Sequence, residues 1–152
     1  VVAADLAGAE ALFPTSSFEK IFKEAKKEGI PFTIHAGEAA GPESIWAALK
    51  FGAKRIGHGV RCLEDKELVA YLRKNQIPLE VCPTSNFQTK AVKGEYPLKK
   101  MLEEGLCVTL NTDNTTVSGT TLEREYEIAG TQLGLTEEEI SRLKENAEKS
   151  RF

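Results

Sequence analysis

Five short motifs hold the residue types that do chemistry: Asp5-Leu6-Ala7-Gly8, His35-Ala36-Gly37-Glu38, Gly57-His58-Gly59, Thr84-Ser85-Asn86 and Asp113-Asn114. His35 and His58 are the only histidines of the sequence, and each stands near glycines, whose missing side chains let a bound molecule approach the backbone closely. Two imidazoles with nearby carboxylates suit metal-assisted hydrolysis. Zinc takes imidazole and carboxylate ligands and keeps a position for water, whose pKa it lowers toward about 7. In such a scheme His35 and Asp113 fit the ligand role. Glu38 fits a carboxylic acid that protonates the substrate, and His58 an imidazole that orients the hydroxide or takes its proton. Taken singly, each residue reads more simply as a helix cap or a satisfied buried polar group. Thr84, Ser85 and Asn86 fit a plain turn as well as they fit partners of His58.

The elements that carry these motifs bring them to a shared site. Apolar runs at residues 1–5, 32–35, 55–57, 79–82 and 107–111 alternate with segments of helical period at 17–28, 42–51, 67–75 and 98–104. Such a β-α-β-α succession predicts an α/β fold with a parallel sheet. Each motif falls at the C-terminal end of a strand, and in a parallel barrel those ends open on one face, where such enzymes build their sites. The helix boundaries are signalled by Ser16 with Glu19 and Thr136 with Glu139 as capping boxes, and by Gly29, Gly52 and Gly105 as C-terminal caps. Phe18, Ile21, Phe22 and Ala25 form an apolar stripe at helical spacing opposite lysines and glutamates, which is core packing. Trp46, beside Ile45 and Leu49, reads the same way. After residue 111 the alternation stops, and segments 122–133 and 136–149 read as two closing helices. Five strands are too few for a closed eight-stranded barrel, which takes about 250 residues. The pattern therefore fits either an open doubly wound sheet or most of the second half of a barrel, and no GxGxxG or P-loop glycine pattern supports the former.

Composition narrows the partner classes. Of 152 residues, 41% are hydrophobic and 28% charged, which is the balance of a globular protein, and a net charge of -3 gives no reason to expect a nucleic acid as partner. A small substrate is the better expectation. Cys62, Cys82 and Cys107 form no CxxC pair and read as reduced, buried thiols of a cytoplasmic protein. No apolar run approaches membrane-spanning length, so no membrane partner is expected. The sequence opens on an apolar run without an initiator Met, as a fragment would.

In order, Asp5-Leu6-Ala7-Gly8, His35-Ala36-Gly37-Glu38, Ile56-Gly57-His58-Gly59, Cys82-Pro83-Thr84-Ser85-Asn86 and Asn111-Thr112-Asp113 resemble the adenosine deaminase family, and Gly119-Thr120-Thr121-Leu122 continues the likeness. No single motif is decisive, but the ordered set is highly specific. The resemblance covers nearly the whole chain and implies the C-terminal half of a zinc-dependent (β/α)8 TIM barrel, beginning at the family's fourth strand. It further implies hydrolytic deamination of adenosine, and of deoxyadenosine, to inosine and ammonia, with adenine or another 6-aminopurine as the neighbouring possibility. Carried over to this sequence, His35 and Asp113 bind Zn²⁺, Asp113 also orients the attacking water, Glu38 protonates N1 of the purine and His58 assists the hydroxide at C6. The Gly8 backbone would lie near N3. Zinc deaminases of the cytidine type use a His-x-Glu and Pro-Cys-x-x-Cys pattern, which this sequence lacks.

Two departures from the family pattern shape the expectations. The family's other two zinc ligands form a His-x-His pair on its first strand, and no such pair occurs here. The isolated chain is accordingly expected to be inactive and to pair with a missing N-terminal half or with itself, through its exposed strand edges and uncovered barrel interior. Asn114 stands where many members have an Asp that bonds N7 of the purine; an Asn amide can donate there without being protonated.

Overall fold

The computed structural model describes residues 2–152, and Val1, with which the first apolar run opens, lies outside them. Five strands, β1 (Ala4–Leu6), β2 (Phe32–Ala36), β3 (Arg55–His58), β4 (Leu79–Val81) and β5 (Val108–Leu110), form one sheet in the order β1-β2-β3-β4-β5. Every neighbouring pair is parallel. This order decides between the two sequence-level alternatives. A doubly wound sheet reverses its strand order at a switch point, whereas a barrel wall adds each strand on the same side as the last. The strands here never reverse, so the sheet is a stretch of barrel wall, as expected for the C-terminal part of a (β/α)8 barrel.

The intervening helices are α1 (Glu19–Lys27), α2 (Pro42–Phe51), α3 (Lys66–Asn75), α4 (Pro83–Gln88) and α5 (Leu98–Glu103), followed by α6 (Thr115–Ser118), α7 (Leu122–Thr131) and α8 (Glu137–Lys149). Phe32, Ile34, Ile56, Leu79, Val81, Val108 and Leu110 turn toward these helices and form the centre of the core with Ile45, Leu68, Leu72, Met101 and Leu143. The expected capping box Thr136–Glu139 is formed, with both reciprocal hydrogen bonds. The one expected at Ser16–Glu19 is not: residues Thr15–Phe18 make a 3-10 turn with no side-chain cap, because the buried Thr15 hydroxyl is drawn 2.7 Å from that of Ser44 on α2. Trp46 is half-buried, packs against Tyr71 and donates its indole N–H to Asp65 at 2.9 Å. No helix of the described residues is long and apolar enough to cross a membrane.

The opposite face of the sheet, which lines the barrel interior, is largely polar. Strand register places Asp5, Thr33, Arg55, Glu80 and Thr109 on it. Arg55 and Glu80 lie 2.9 Å apart there, and Thr33 donates to Glu80 at 3.0 Å. Arg55 also grips the C-terminal segment, donating to the Ser150 carbonyl and stacking on Phe152. The free edge of β5 is partly blunted, since Asn146 of α8 donates to the Val108 carbonyl at 2.9 Å.

Candidate functional site

The strand ends bring four of the six predicted site residues into one cluster. His35 lies one residue from the end of β2, His58 closes β3, and Asp113 follows β5 by three residues; one candidate ligand atom from each falls within 4.8 Å of the others. Glu38, three residues beyond His35, places Oε2 3.5 Å from His58 Nε2. The imidazoles meet edge to face with centroids 5.0 Å apart. Both His58 and Asp113 adopt left-handed backbone, at φ 61° and 56°. Such conformations are uncommon outside glycine and are characteristically held in place at functional positions by surrounding contacts. The glycines make the approach possible: a Cβ on Gly57 would stand 3.0 Å from His35 Nδ1, and one on Gly37 2.5 Å from Ile45 Cδ1.

The remaining two residues flank the cluster. Gly8 lines a pocket of about 150 Å³ that reaches His35 and whose lining includes Leu6, Glu10, Phe13 and Phe18. Asn114 caps α6, its Oδ1 accepting from the Val117 N–H at 2.9 Å, so its amide NH₂ is left as the outward donor. A second cavity, about 270 Å³, is lined by His35, Gly57, His58, Cys82, Asn111 and Asp113.

Hydrogen bonds set the chemical state of each group. Asp5 Oδ1 lies 3.2 Å from His35 Nδ1, which leaves His35 Nε2 as the atom free to bind a metal and resembles the carboxylate–histidine arrangement that orients metal-binding imidazoles. That hydrogen bond raises the His35 pKa against the opposing effect of burial, whereas burial lowers that of His58 despite the nearby Glu38 charge. Burial thus favours the neutral form of His58. Asn86 fixes its tautomer. The Asn86 Oδ1 accepts from Tyr96 Oη at 2.7 Å and from the Cys82 N–H, and its Nδ2 faces Glu38 Oε1 at 3.1 Å, so Nδ2 can only donate to His58 Nδ1 at 3.0 Å. The His58 proton then resides on Nε2, toward Glu38. Thr89 also donates to Glu38 Oε1, at 3.1 Å, and Ser85 donates to Asp113 Oδ2 at 2.6 Å. The segment left open between a turn and partners of His58 is thus a short helix, α4, and Asn86 is such a partner.

Two buried carboxylates were not among the predicted site residues. Glu10 accepts from the backbone N–H groups of Gly37, Glu38, Ala39 and Ala40 at 2.7, 3.1, 2.7 and 2.9 Å. Burial pushes its pKa up, but the Ser44 hydroxyl and these amides outweigh that and leave it below the ordinary value. Glu125, wholly buried, accepts from the Thr84 N–H and from Thr120 Oγ1 and so anchors the start of α4. The available signal for Glu10 was a lone charge within the apolar run Ala9-Glu10-Ala11-Leu12-Phe13.

The model of the family described as adenosine deaminase matches residues 1–152. The chain belongs to the adenosine deaminase family. It is 52% identical over 145 residues to an adenosine deaminase of Haemophilus ducreyi, covering 94% of this chain and 42% of that protein. Among solved structures, an adenine deaminase from Arthrobacter aurescens superposes with a TM-score of 0.96 at 34% identity, over 100% of this chain and 47% of that one. The N6-methyl-AMP deaminase of Arabidopsis thaliana superposes at 0.85 with 32% identity, over 99% and 45%. This chain spans about half the length of the relatives it matches.

Proposed function

We propose that these residues form the C-terminal part of a single barrel domain that deaminates adenosine, and deoxyadenosine, by hydrolysis. The observation that carries the reading is the convergence of Glu38, His58, His35 and Asp113 within hydrogen-bonding and ligand reach at the strand ends of a deaminase-family barrel. The donor set of His35 Nε2 and an Asp113 oxygen fits zinc, and the ion would supply a water acidic enough to ionise near pH 7.

The chain's own groups then divide the work. Glu38 Oε1 is held by Asn86 and Thr89, which leaves Oε2 to carry the proton that passes to ring nitrogen N1 and makes C6 electrophilic. His58, neutral and protonated on Nε2, orients the oxygen that adds to C6; with Nδ1 occupied by the Asn86 amide, orientation is favoured over proton abstraction. Asp113, steadied by Ser85, positions the attacking water. Water adds at C6 and ammonia departs, giving the 6-oxo purine. The Asn114 amide donates to N7, and the Gly8 backbone meets N3.

A second reading is favoured by the likeness to the Arthrobacter adenine deaminase, namely that adenine or another 6-aminopurine is the substrate. The test follows adenosine-to-inosine conversion by ultraviolet absorbance with added Zn²⁺. It compares the chain alone with the chain mixed with the N-terminal half of the Haemophilus ducreyi relative. Activity confined to the mixture and lost in Glu38→Gln is the expected result. Activity with adenine but not adenosine supports the second reading; association of the halves without turnover of any 6-aminopurine points to a non-catalytic, self-associating half-barrel.

A further inference from the structure

The loop that carries Glu38 has no regular secondary structure: it runs from the end of β2 to Pro42, the first residue of α2. Its backbone N–H groups at Gly37, Glu38, Ala39 and Ala40 find no carbonyl partner and converge on one side chain. Glu10 takes all four, Gly37 on Oε1 and the other three on Oε2. Glu10 is only 9% exposed and sits on a tight turn of its own, where its N–H donates to the Gly8 carbonyl at 2.9 Å and the Leu12 and Phe13 N–H groups donate to Ala9. One carboxylate therefore ties the turn containing Gly8 to the loop containing Glu38, two segments 30 residues apart in sequence.

We infer that Glu10 is a positioning residue, whose carboxylate fixes the distance between the Gly8 turn and the Glu38 loop and thereby the aim of the Glu38 carboxyl. The inference rests on the proposed role of Glu38. If Gly8 and Glu38 meet N3 and N1, they read the same six-membered ring, and the clamp sets the spacing between those two contacts. A proton donor displaced by about 1 Å can cost about a hundredfold in rate, so the orientation of this loop is worth a dedicated anchor. An uncharged amide cannot replace it. Gln at position 10 keeps an oxygen for the three amides on one side and turns an NH₂ group against the Gly37 N–H on the other, two donors face to face.

The first test needs no variant. In the unmodified chain, amide hydrogen exchange read by NMR should be slowed at Gly37, Glu38, Ala39 and Ala40 together by about tenfold or more relative to an exposed loop. Exchange at free-peptide rates overturns the inference. In Glu10→Gln, protection should fall first at Gly37. Turnover is then measured in the chain mixed with the N-terminal half of the Haemophilus ducreyi relative, corrected for the folded fraction. We expect kcat of Glu10→Gln to fall by about tenfold to a hundredfold with KM changed less than about threefold, and Glu10→Ala to fall further. A purely structural role would lower the melting temperature and leave the kcat of the folded fraction unchanged, which would overturn the inference. If Glu38→Gln abolishes turnover while Glu10→Gln does not alter it, the clamp alone fails; if Glu38→Gln remains active, the reading of Glu38 fails first.

Discussion

Gly37→Ala perturbs the loop that aims Glu38 through two separable effects, and the structure gives a magnitude for each. Gly37 has φ 72°, in the left-handed region, and a Cβ built there stands 2.5 Å from Ile45 Cδ1 and 2.8 Å from its Cγ1. Ile45 is wholly buried, so its side chain has no free space to swing into. The conformational part costs about 1–2 kcal/mol for an L-residue and the overpacking about 1–3 kcal/mol, so the variant should lose about 2–5 kcal/mol. Equilibrium unfolding in urea, followed by circular dichroism, measures the loss from the shift in midpoint. Ile45→Ala removes both clashing carbons at a cost of its own of about 2–5 kcal/mol. In that background the steric share should disappear and only the conformational share of about 1–2 kcal/mol should remain. A loss below about 1 kcal/mol for Gly37→Ala alone, or the same loss in both backgrounds, would show that Ile45 does not confine position 37.

Two further outcomes follow from buried groups. Glu125→Ala should destabilise by about 1–3 kcal/mol for each donor it orphans, the Thr84 N–H and the Thr120 hydroxyl, and a loss under about 0.5 kcal/mol in the same urea assay would show that water replaces the carboxylate. The three cysteines should resist an aromatic disulfide reagent at pH 8 until the chain is unfolded, because all are buried and burial pushes the Cys62 thiol up to about 12; rapid native-state labelling of Cys62 would contradict that burial.

Much of the architecture was legible in the sequence because it rests on local signals. Short apolar runs, segments of helical period, the Thr136–Glu139 box and the glycines after helices located the strands and most helices, since those signals act within a few residues. The helices α4 and α6 are mostly polar, with one large apolar side chain each, Phe87 and Val117, and so carry no apolar period. The Ser16–Glu19 box failed because a tertiary contact from Thr15 to Ser44 outweighed a local preference.

The site divides along the same line. Residue type and position after a strand singled out His35, Glu38, His58 and Asp113, because in a parallel sheet the strand end fixes where such a side chain points. Which partner each of them holds was decided by tertiary structure alone. The direction in which Asn86 presents its amide, and hence the tautomer of His58, depends on Tyr96 and Cys82. The anchoring of the Glu38 loop depends on a glutamate 28 residues away, and that of α4 on Glu125, 41 residues beyond Thr84. A buried carboxylate must find donors wherever the fold brings them, and no periodicity along the chain encodes that meeting.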